Sequence, residues 1–366
     1  MKVLQVVDGT GWGGTKEQVY LTTRELKKKG IDVHIALSFQ YREMVEKLSS
    51  FDVPIHYFED SGKNARYRWE NYKRLISIIE TNRFDIVIGN SPHAFDYVRI
   101  AKLFLKEKPK VVNIKRSGRL PSVLSKYLKY SAADKIVVVS KSVERFLREK
   151  NFFPEKLLTI ESGIDLERFK PEPEKKYFYR EKIGLPKDKK IFINVANWNP
   201  SVKGQDKLIE AFSKASIEDA LLVLVGIDTE KEAPKIAKKF SIENKVLGLG
   251  FRKDVPDLLN ASDFFVLSSY LEGIAGALLQ AMATGKVVLS TLAGGIDEYL
   301  KDNFNGFSVN VGDFEAFSKK LSYLADLPEE EYIRISKNAV KTAKEYDIKR
   351  TADKYINLFE ELKNEK

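Results

Sequence analysis

Cysteine does not occur among the 366 residues. That excludes disulfide frameworks, thiolate metal sites and cysteine nucleophiles, and it fits a reducing cytosol. Histidine is almost as scarce. The three present, His34, His56 and His93, are too few for a multi-histidine zinc site. Long apolar runs are also missing: the longest uncharged stretch, residues 273–285, falls short of the ~20 residues a spanning helix needs. The opening MKVLQVVDGTGWGG reads as a strand followed by glycines rather than a cleavable leader. The expectation is a soluble chain, or one resting on a membrane surface. Disorder is excluded by what is present: with 43% hydrophobic and 11% aromatic residues, there is enough apolar side chain for a large core. The length fits two domains better than one.

Charge is spread unevenly. Residues 99–150 hold 15 Lys/Arg against 4 Asp/Glu, a net +11, so the rest of the +10 chain sums to about −1. Such an island suits phosphate, an anionic membrane surface or nucleic acid, with a solvated lysine-rich face as the plainer reading. Within it, residues 118–135 interleave lysines with Leu120, Val123, Leu124, Tyr127 and Leu128. That pattern fits an anionic bilayer surface and fits core packing equally well.

Short β-rich runs alternate with helical patterns along the whole chain. Strands are expected at 2–7, 32–38, 55–58, 85–89, 110–114 and 135–140, then at 191–196, 221–226, 246–249, 264–268, 287–290 and 306–309. Solid apolar blocks such as IVVV and LLVLV are how strands buried on both faces read. Helical patterns between them, such as Leu208, Ala211, Phe212 and Ala215 on one stripe, complete an α/β class with parallel sheets. Residues 162–186 carry three prolines, many charges and no sustained period, which marks a linker. The expected division is an N-terminal domain over 1–165, a C-terminal domain over 166–345 and a final helix within 346–366 that can pack on either. Ligands of such sheets bind at strand C-terminal ends.

Gly9-Thr-Gly11-Trp-Gly13-Gly14 matches the G-x-G-x-x-G dinucleotide fingerprint after a strand. The second strand ends IALSFQ, without the acid that would hold ribose hydroxyls, so a dehydrogenase reading is weak. Glu17 opens the following helix, where its charge suits the macrodipole. In the second half, Lys203-Gly204 stands at a helix mouth, where a cation and free amides favour anions. Further on, Glu272 precedes a glycine-containing helix start, and Gly273, Gly276 and Gln280 are spaced to share one face. Leu278, Leu279 and Met282 read as core.

These landmarks together resemble the retaining GT-B glycosyltransferases of family 4, over nearly the whole chain. The resemblance is carried by Gly13-Gly14-Thr-Lys-Glu17, Ser162-Gly163-Ile-Asp165 with Phe169-Lys-Pro171, Lys203-Gly204, Gly250-Phe251-Arg252 before Asp254-Val255, Gly294-Gly295-Ile-Asp-Glu298, and Glu272-x7-Gln280 in place of Glu-x7-Glu. It implies two Rossmann-like domains facing a cleft, with a nucleotide-sugar donor bound in the C-terminal one and a sugar, glycolipid or lipid-linked acceptor at the N-terminal one. Lys203 is then expected on the donor diphosphate and Glu272 on the donor sugar. The Gly273, Ile274, Ala275 and Gly276 backbone would meet phosphate or sugar, Gln280 the ribose and Phe251-Arg252 the base. Gly14 would meet the phosphates from across the cleft. On the acceptor side the candidates are Glu17, His93, Arg116 and Arg119. The resemblance further implies hexosyl transfer in cell-envelope or polysaccharide synthesis without metal or other cofactor, at the cytoplasmic face of the membrane.

The chain departs from the family pattern in four places. Asn197 stands nearest the usual arginine, Gln280 replaces the second glutamate, and Asn90 and Lys115 or Arg116 stand where histidines are usual. A non-catalytic GT-B protein binding nucleotide, glycan or membrane is the alternative; a GT-B nucleotide-sugar isomerase fits the layout but not these landmarks. A nucleic-acid partner is not expected, since no RNP, zinc or helix-turn-helix signature accompanies the basic island.

Overall fold

The computed structural model describes residues 1–365. The chain divides into two units, one formed by residues 1–163 and the C-terminal residues from Ile348 on, the other by Ile164–Asp347. The division thus falls two residues before the expected one.

The first unit is built on strands β1 (Lys2–Val6), β2 (Asp32–Ser38), β3 (Ile55–Glu59), β4 (Ile86–Gly89), β5 (Lys110–Lys115), β6 (Lys135–Val138) and β7 (Leu157–Thr159). They form one sheet of order β3-β2-β1-β4-β5-β6-β7 with every neighbour parallel. Successive side chains enter opposite faces: Leu4 and Val6 join Phe95, Tyr97 and Leu147 on one side, while Val3 joins Leu26, Phe359 and Leu362 on the other. Strand β7 was not expected; it is defined by its pairing with Ile136, Val137 and Val138 of β6.

The second unit uses β8 (Lys190–Val195), β9 (Ala220–Val225), β10 (Val246–Gly248), β11 (Phe264–Leu267), β12 (Val287–Thr291) and β13 (Phe307–Val309), in the all-parallel order β10-β9-β8-β11-β12-β13. Here Ile191 and Ile193 face one core and Phe192 the other. Leu208, Ala211 and Phe212 are buried by the helix Gln205–Lys214, and Leu278, Leu279 and Met282 by the helix Gly276–Ala283.

Strand order reverses direction at β1/β4 in the first sheet and at β8/β11 in the second. Loops leaving the carboxyl ends of two such strands diverge to opposite faces and open a crevice between them. Each unit therefore has one switch point, and the motif residues after β1, β8 and β11 stand at these two places.

The helix Ile348–Asn364 belongs to the first unit. It buries Tyr355, Leu358, Phe359 and Leu362, and each large apolar side chain is worth about 1.5–3 kcal/mol on burial. Its start lies so close to Gly163 that a Cβ there would meet the Ile348 Cα at 2.5 Å and the Thr351 Oγ1 at 2.6 Å. Gly163→Ala is therefore expected to lower stability by roughly 1–3 kcal/mol, because a backbone has to shift to make room. Denaturant titration checks this, and an unchanged midpoint would mean the helix is not seated so tightly.

Candidate functional site

Lys203 and Glu272, 69 positions apart in sequence, meet at the switch point of the second sheet. The Lys203 Nζ lies 2.7 Å from the Glu272 Oε1, and Ser269 Oγ donates to that same oxygen at 2.6 Å. The carboxylate is 8% exposed and the lysine side chain 29%. Both of these contacts are made to Oε1, and among the described residues none is made to the Glu272 Oε2, which leaves it able to accept.

Backbone geometry forces this meeting. After β8 the chain turns through the short helix Pro200–Lys203, then Gly204 at φ +64°, into the helix Gln205–Lys214. The Tyr270 amide donates to the Val202 carbonyl at 2.8 Å, and Ser268 Oγ donates to the Lys203 and Gly204 carbonyls at 2.9 and 3.0 Å. A Cβ on Gly204 would stand 2.4 Å from the Ser268 carbonyl oxygen, so only glycine permits so close an approach. A second glycine closes the other side. The Gly295 amide donates to the Gly273 carbonyl at 3.1 Å, and a Cβ on Gly294 would stand 2.0 Å from the Glu272 carbonyl oxygen.

The helix beyond Glu272 begins at Gly276, so Gly273 does not share a helical face with Gly276 and Gln280 as the spacing suggested. Residues 272–275 form a turn that ends with Ala275 at φ +51°, and this turn displaces the helix start by three residues. Tyr299 donates its hydroxyl to the Ile274 carbonyl at 2.8 Å. Burial pushes that phenol well above its ordinary pKa, which keeps it a donor. First-turn amides of a helix lack intrahelical acceptors and carry partial positive charge. Beside Gly276 no atom lies within 4 Å of where a Cβ would be, so an anion can approach them. Gln280, one turn on, is half-buried.

Gly250, Phe251 and Arg252 follow the edge strand β10. The Gly250 amide donates to Thr229 Oγ1 at 3.0 Å and its carbonyl accepts from the Gly226 amide at 2.8 Å. The Phe251 ring is exposed. Arg252 pairs with both carboxylate oxygens of Asp254, at 2.8 and 2.5 Å, so its guanidinium serves its own turn. Asn197 is likewise committed. Its Oδ1 accepts from the Ile227 amide at 3.0 Å and its carbonyl from Gln205 Nε2 at 2.9 Å, which ties the β8 and β9 loops together.

In the first unit, the glycine-rich loop after β1 is held from outside by side chains. Glu59 accepts from the Gly9 amide at 2.5 Å and from Tyr97 at 3.1 Å, Tyr41 donates to the Gly11 carbonyl at 2.8 Å, and Lys16 donates to the Asp8 carbonyl. Burial pushes the Glu59 carboxyl up and the Lys16 ammonium down from their ordinary pKa values. No atom lies within 4 Å of a Cβ placed on Gly9, Gly11, Gly13 or Gly14, so the loop presents open backbone. Glu17 accepts from the Trp12 indole at 2.9 Å and so braces the loop. His93, just beyond β4, has Nδ1 3.7 Å from Asp8 Oδ2 and Nε2 3.3 Å from Arg66 Nη1. Asp8, Arg66, Glu59 and Lys16 were not singled out in the sequence. A lone acid or base has no periodic signature, although Asp8 just after the first strand was open to notice.

Arg116 was expected on the acceptor side. Its guanidinium reaches Ser162 Oγ at 3.5 Å and lies beside Tyr355 of the C-terminal helix, and burial lowers its pKa. Arg119 is exposed and its carbonyl accepts from Lys115 Nζ at 2.6 Å. Burial first, and the nearby Lys129 second, push the Lys115 ammonium down to about 8. Asn90 is buried and donates to Gln5 Oε1 at 2.7 Å.

Two Rossmann-like parallel sheets in one chain, each with charged side chains gathered at its switch point, define the GT-B class of α/β proteins. The chain belongs to the glycosyltransferases: residues 12–168 match Glycosyltransferase Family 4 and residues 175–342 match Glycosyl transferases group 1. The N,N'-diacetylbacillosaminyl-diphospho-undecaprenol alpha-1,3-N-acetylgalactosaminyltransferase of Campylobacter jejuni is 30% identical over 244 residues, 64% of this chain and 62% of that one. The putative glycosyltransferase EpsD of Bacillus subtilis is 26% identical over 91% of this chain and 90% of its own length. Among solved structures, Anabaena Alr3699/HepE in complex with UDP-glucose superimposes with a TM-score of 0.84 at 19% identity, covering 99% of this chain and 100% of its own.

Gly294→Ala tests the closure of the site. The new methyl group meets the Glu272 carbonyl at a positive φ, which costs roughly 1–3 kcal/mol of stability and displaces the Glu272 turn. Affinity for a nucleotide-sugar is expected to fall about tenfold or more by calorimetry. Unchanged affinity in a destabilised variant would show that Gly294 does not position Glu272.

Proposed function

We propose that the protein moves a hexosyl group, with retention at the anomeric carbon, from a nucleotide-diphosphate sugar to a sugar, glycolipid or lipid-linked acceptor, using no metal or other cofactor. The observation that carries this reading is the Lys203–Glu272 pair beside the open helix start at Gly276. Lys203 and the first-turn amides hold the diphosphate and stabilise the charge that grows on it as the glycosidic bond breaks. The unpartnered Glu272 Oε2 accepts from donor-sugar hydroxyls and orients the ring. Gln280 meets the ribose and the backbone at Phe251-Arg252 the base. No step needs a covalent nucleophile from the chain, because positioning and electrostatics supply the acceleration.

The named acceptor of the Campylobacter relative is a sugar on diphospho-undecaprenol, and the Anabaena structure holds UDP-glucose. Both support the same substrate classes here. The +11 island over residues 99–150 supports a further partner, an anionic membrane surface presenting the acceptor. No helix among the described residues is long and apolar enough to cross a membrane.

A thermal-shift panel of UDP-, GDP- and ADP-sugars identifies the donor, since specific binding stabilises by mass action. Lys203→Ala is expected to weaken that donor by about one to two orders of magnitude, as a charged hydrogen bond is worth ~1.5–3 kcal/mol. Lys207→Ala is the control, because Lys207 is occupied with Glu210 at 2.7 Å. Equal affinities for the two variants would remove Lys203 from the donor site. For Gln280, the amide offers one acceptor oxygen and forms neutral hydrogen bonds, roughly half as strong as those of a carboxylate. Gln280→Glu is thus expected to tighten a ribonucleotide donor more than its 2′-deoxy analogue. Identical responses would show that this residue does not read the ribose.

A further inference from the structure

The peptide bond between Asp8 and Gly9, just beyond β1, is gripped at both of its polar ends by side chains of opposite charge. The Asp8 carbonyl accepts from Lys16 Nζ, and the Gly9 amide donates to Glu59 Oε2 at 2.5 Å. Carbonyl and amide belong to one rigid plane, so the two contacts fix a single rotation. Steric packing does not fix it. Gly9 sits at φ +62° with nothing within 4 Å of a Cβ position, and glycine takes either sign of φ with similar ease.

Lys16 stands on the helix Gly14–Lys28 and lies over the Tyr41 ring at 5.4 Å, while Tyr41 holds the Gly11 carbonyl. Glu59 ends β3 and is 4% exposed. A bulge directs it there. The pairing of β2 with β3 passes from Leu37–Tyr57 to Ser38–Glu59, which leaves Phe58 as an extra residue and turns the side chain that follows. The Glu59 Oε1 accepts from Tyr97 at 3.1 Å, so both carboxylate oxygens are taken by donors. On the far side of the gripped peptide, Asp8 Oδ1 accepts from Ser91 Oγ and Oδ2 lies 3.7 Å from His93 Nδ1.

We infer that Lys16 and Glu59 are positioning residues for glycosyl transfer: they lock the Asp8–Gly9 peptide, which holds the glycine-rich loop open and the Asp8 carboxylate against Ser91 and His93. The inference rests on the proposed transfer reaction and adds the groups that shape the first unit's side of it. Ionised Glu59 is the form that grips, since a charged acceptor bonds an amide about twice as strongly as a neutral one and also balances Lys16. Asp8 and Lys16 face this carboxyl from the first loop and helix. Tyr97 faces it from the helix Pro92–Phe104 with Tyr72 behind, and its neighbour Asp60 is paired with Arg68. Burial outweighs the Gly9 amide and Lys16 and raises the carboxyl pKa. The grip is thus present above that raised value and lost as pH falls through it, in a range above the ordinary one for glutamate.

The test joins hydrogen exchange at Gly9, read by mass spectrometry on the peptide spanning residues 7–12, to the pH profile of transfer. Transfer is followed with the nucleotide-sugar that the thermal-shift panel selects and octyl glucoside as acceptor. Glu59→Gln and Lys16→Gln are each expected to speed Gly9 exchange and to lower kcat/KM about five- to tenfold, the difference between a charge-assisted and a neutral hydrogen bond. Lys16→Gln is the decisive case, because Lys16 donates to the Asp8 carbonyl and not to the Gly9 amide. The acid limb of the wild-type profile should be missing in Glu59→Gln. In Lys16→Gln it should move to higher pH, since the cation that lowers the Glu59 pKa is gone. Glu70→Gln, an exposed carboxylate of the same unit paired with Lys73, is the control and should match the wild type. Unchanged Gly9 exchange in Lys16→Gln would show that the two residues do not share one peptide and overturn the clamp. A lower melting temperature of Glu59→Gln with wild-type kcat/KM and an unchanged acid limb would make Glu59 a support of the fold alone and overturn its positioning role. Faster exchange in both variants, without sugar transfer by the wild type, would leave the clamp standing and overturn the transfer reading it serves.

Discussion

The candidate donor site depends on how closely backbones approach one another at the carboxyl end of the second sheet. A Cβ on Gly204 would lie 2.4 Å from the Ser268 carbonyl oxygen, on Gly226 2.3 Å from that of Ala196, on Gly248 2.1 Å from that of Thr229, and on Gly294 2.0 Å from that of Glu272. Each distance is below any real contact, so four adjoining loops are drawn together where only hydrogen atoms fit. Three of these glycines also hold a positive φ that other residues rarely adopt. The hydrogen bonds that stitch the loops, such as Tyr270 to Val202 and Gly295 to Gly273, form because of that closeness. Lys203 and Glu272 face each other for the same reason.

The first unit solves the corresponding problem by other means. Its glycines after β1 have empty space beside them, and the loop is fixed by Glu59, Tyr41, Lys16 and the Trp12–Glu17 pair instead. Glycine thus serves two purposes in one chain. Between loops of the second unit it allows close packing, and in the first loop it keeps backbone amides uncovered. Side-chain bracing suits the second purpose, since supports arriving from outside leave the open face open.

Parallel sheets, their alternation with helices and the division near residue 165 were legible because they rest on local pattern: solid apolar strands, one-stripe helices and a proline-rich break. What was not legible depended on non-local geometry. Strand β7 has three residues and gains its identity from pairing with β6. The turn at 272–275 moves the helix start because Ala275 adopts a positive φ, a conformation no alanine announces. That Arg116 comes to lie near Ser162 and beside Tyr355 depends on the return of the C-terminal helix, which no local pattern announces. The segment around Leu124 shows the same limit from the other side. An amphipathic pattern gives the angle between apolar and polar faces, and only the fold decides which face meets the core.

Charge balance links the departures at the donor site to its function. Lys203 is held on a single oxygen of the Glu272 carboxylate, so the pair is a nearly neutral unit with one acceptor to spare. A diphosphate arriving next to an unpaired carboxylate would meet repulsion of about 4 kcal/mol at 4 Å and an effective dielectric of about 20. In the proposed function the lysine serves both groups: it neutralises Glu272 and bridges carboxylate and phosphate. A second carboxylate eight positions on would need a second cation. The place next to β8 where the family usually carries an arginine is filled by Asn197, whose side chain is spent on the Ile227 amide. With that cation gone, an uncharged Gln280 keeps the local charge near balance. On the proposed function, in which Gln280 meets the ribose, the two departures remove one charge of each sign from the same site.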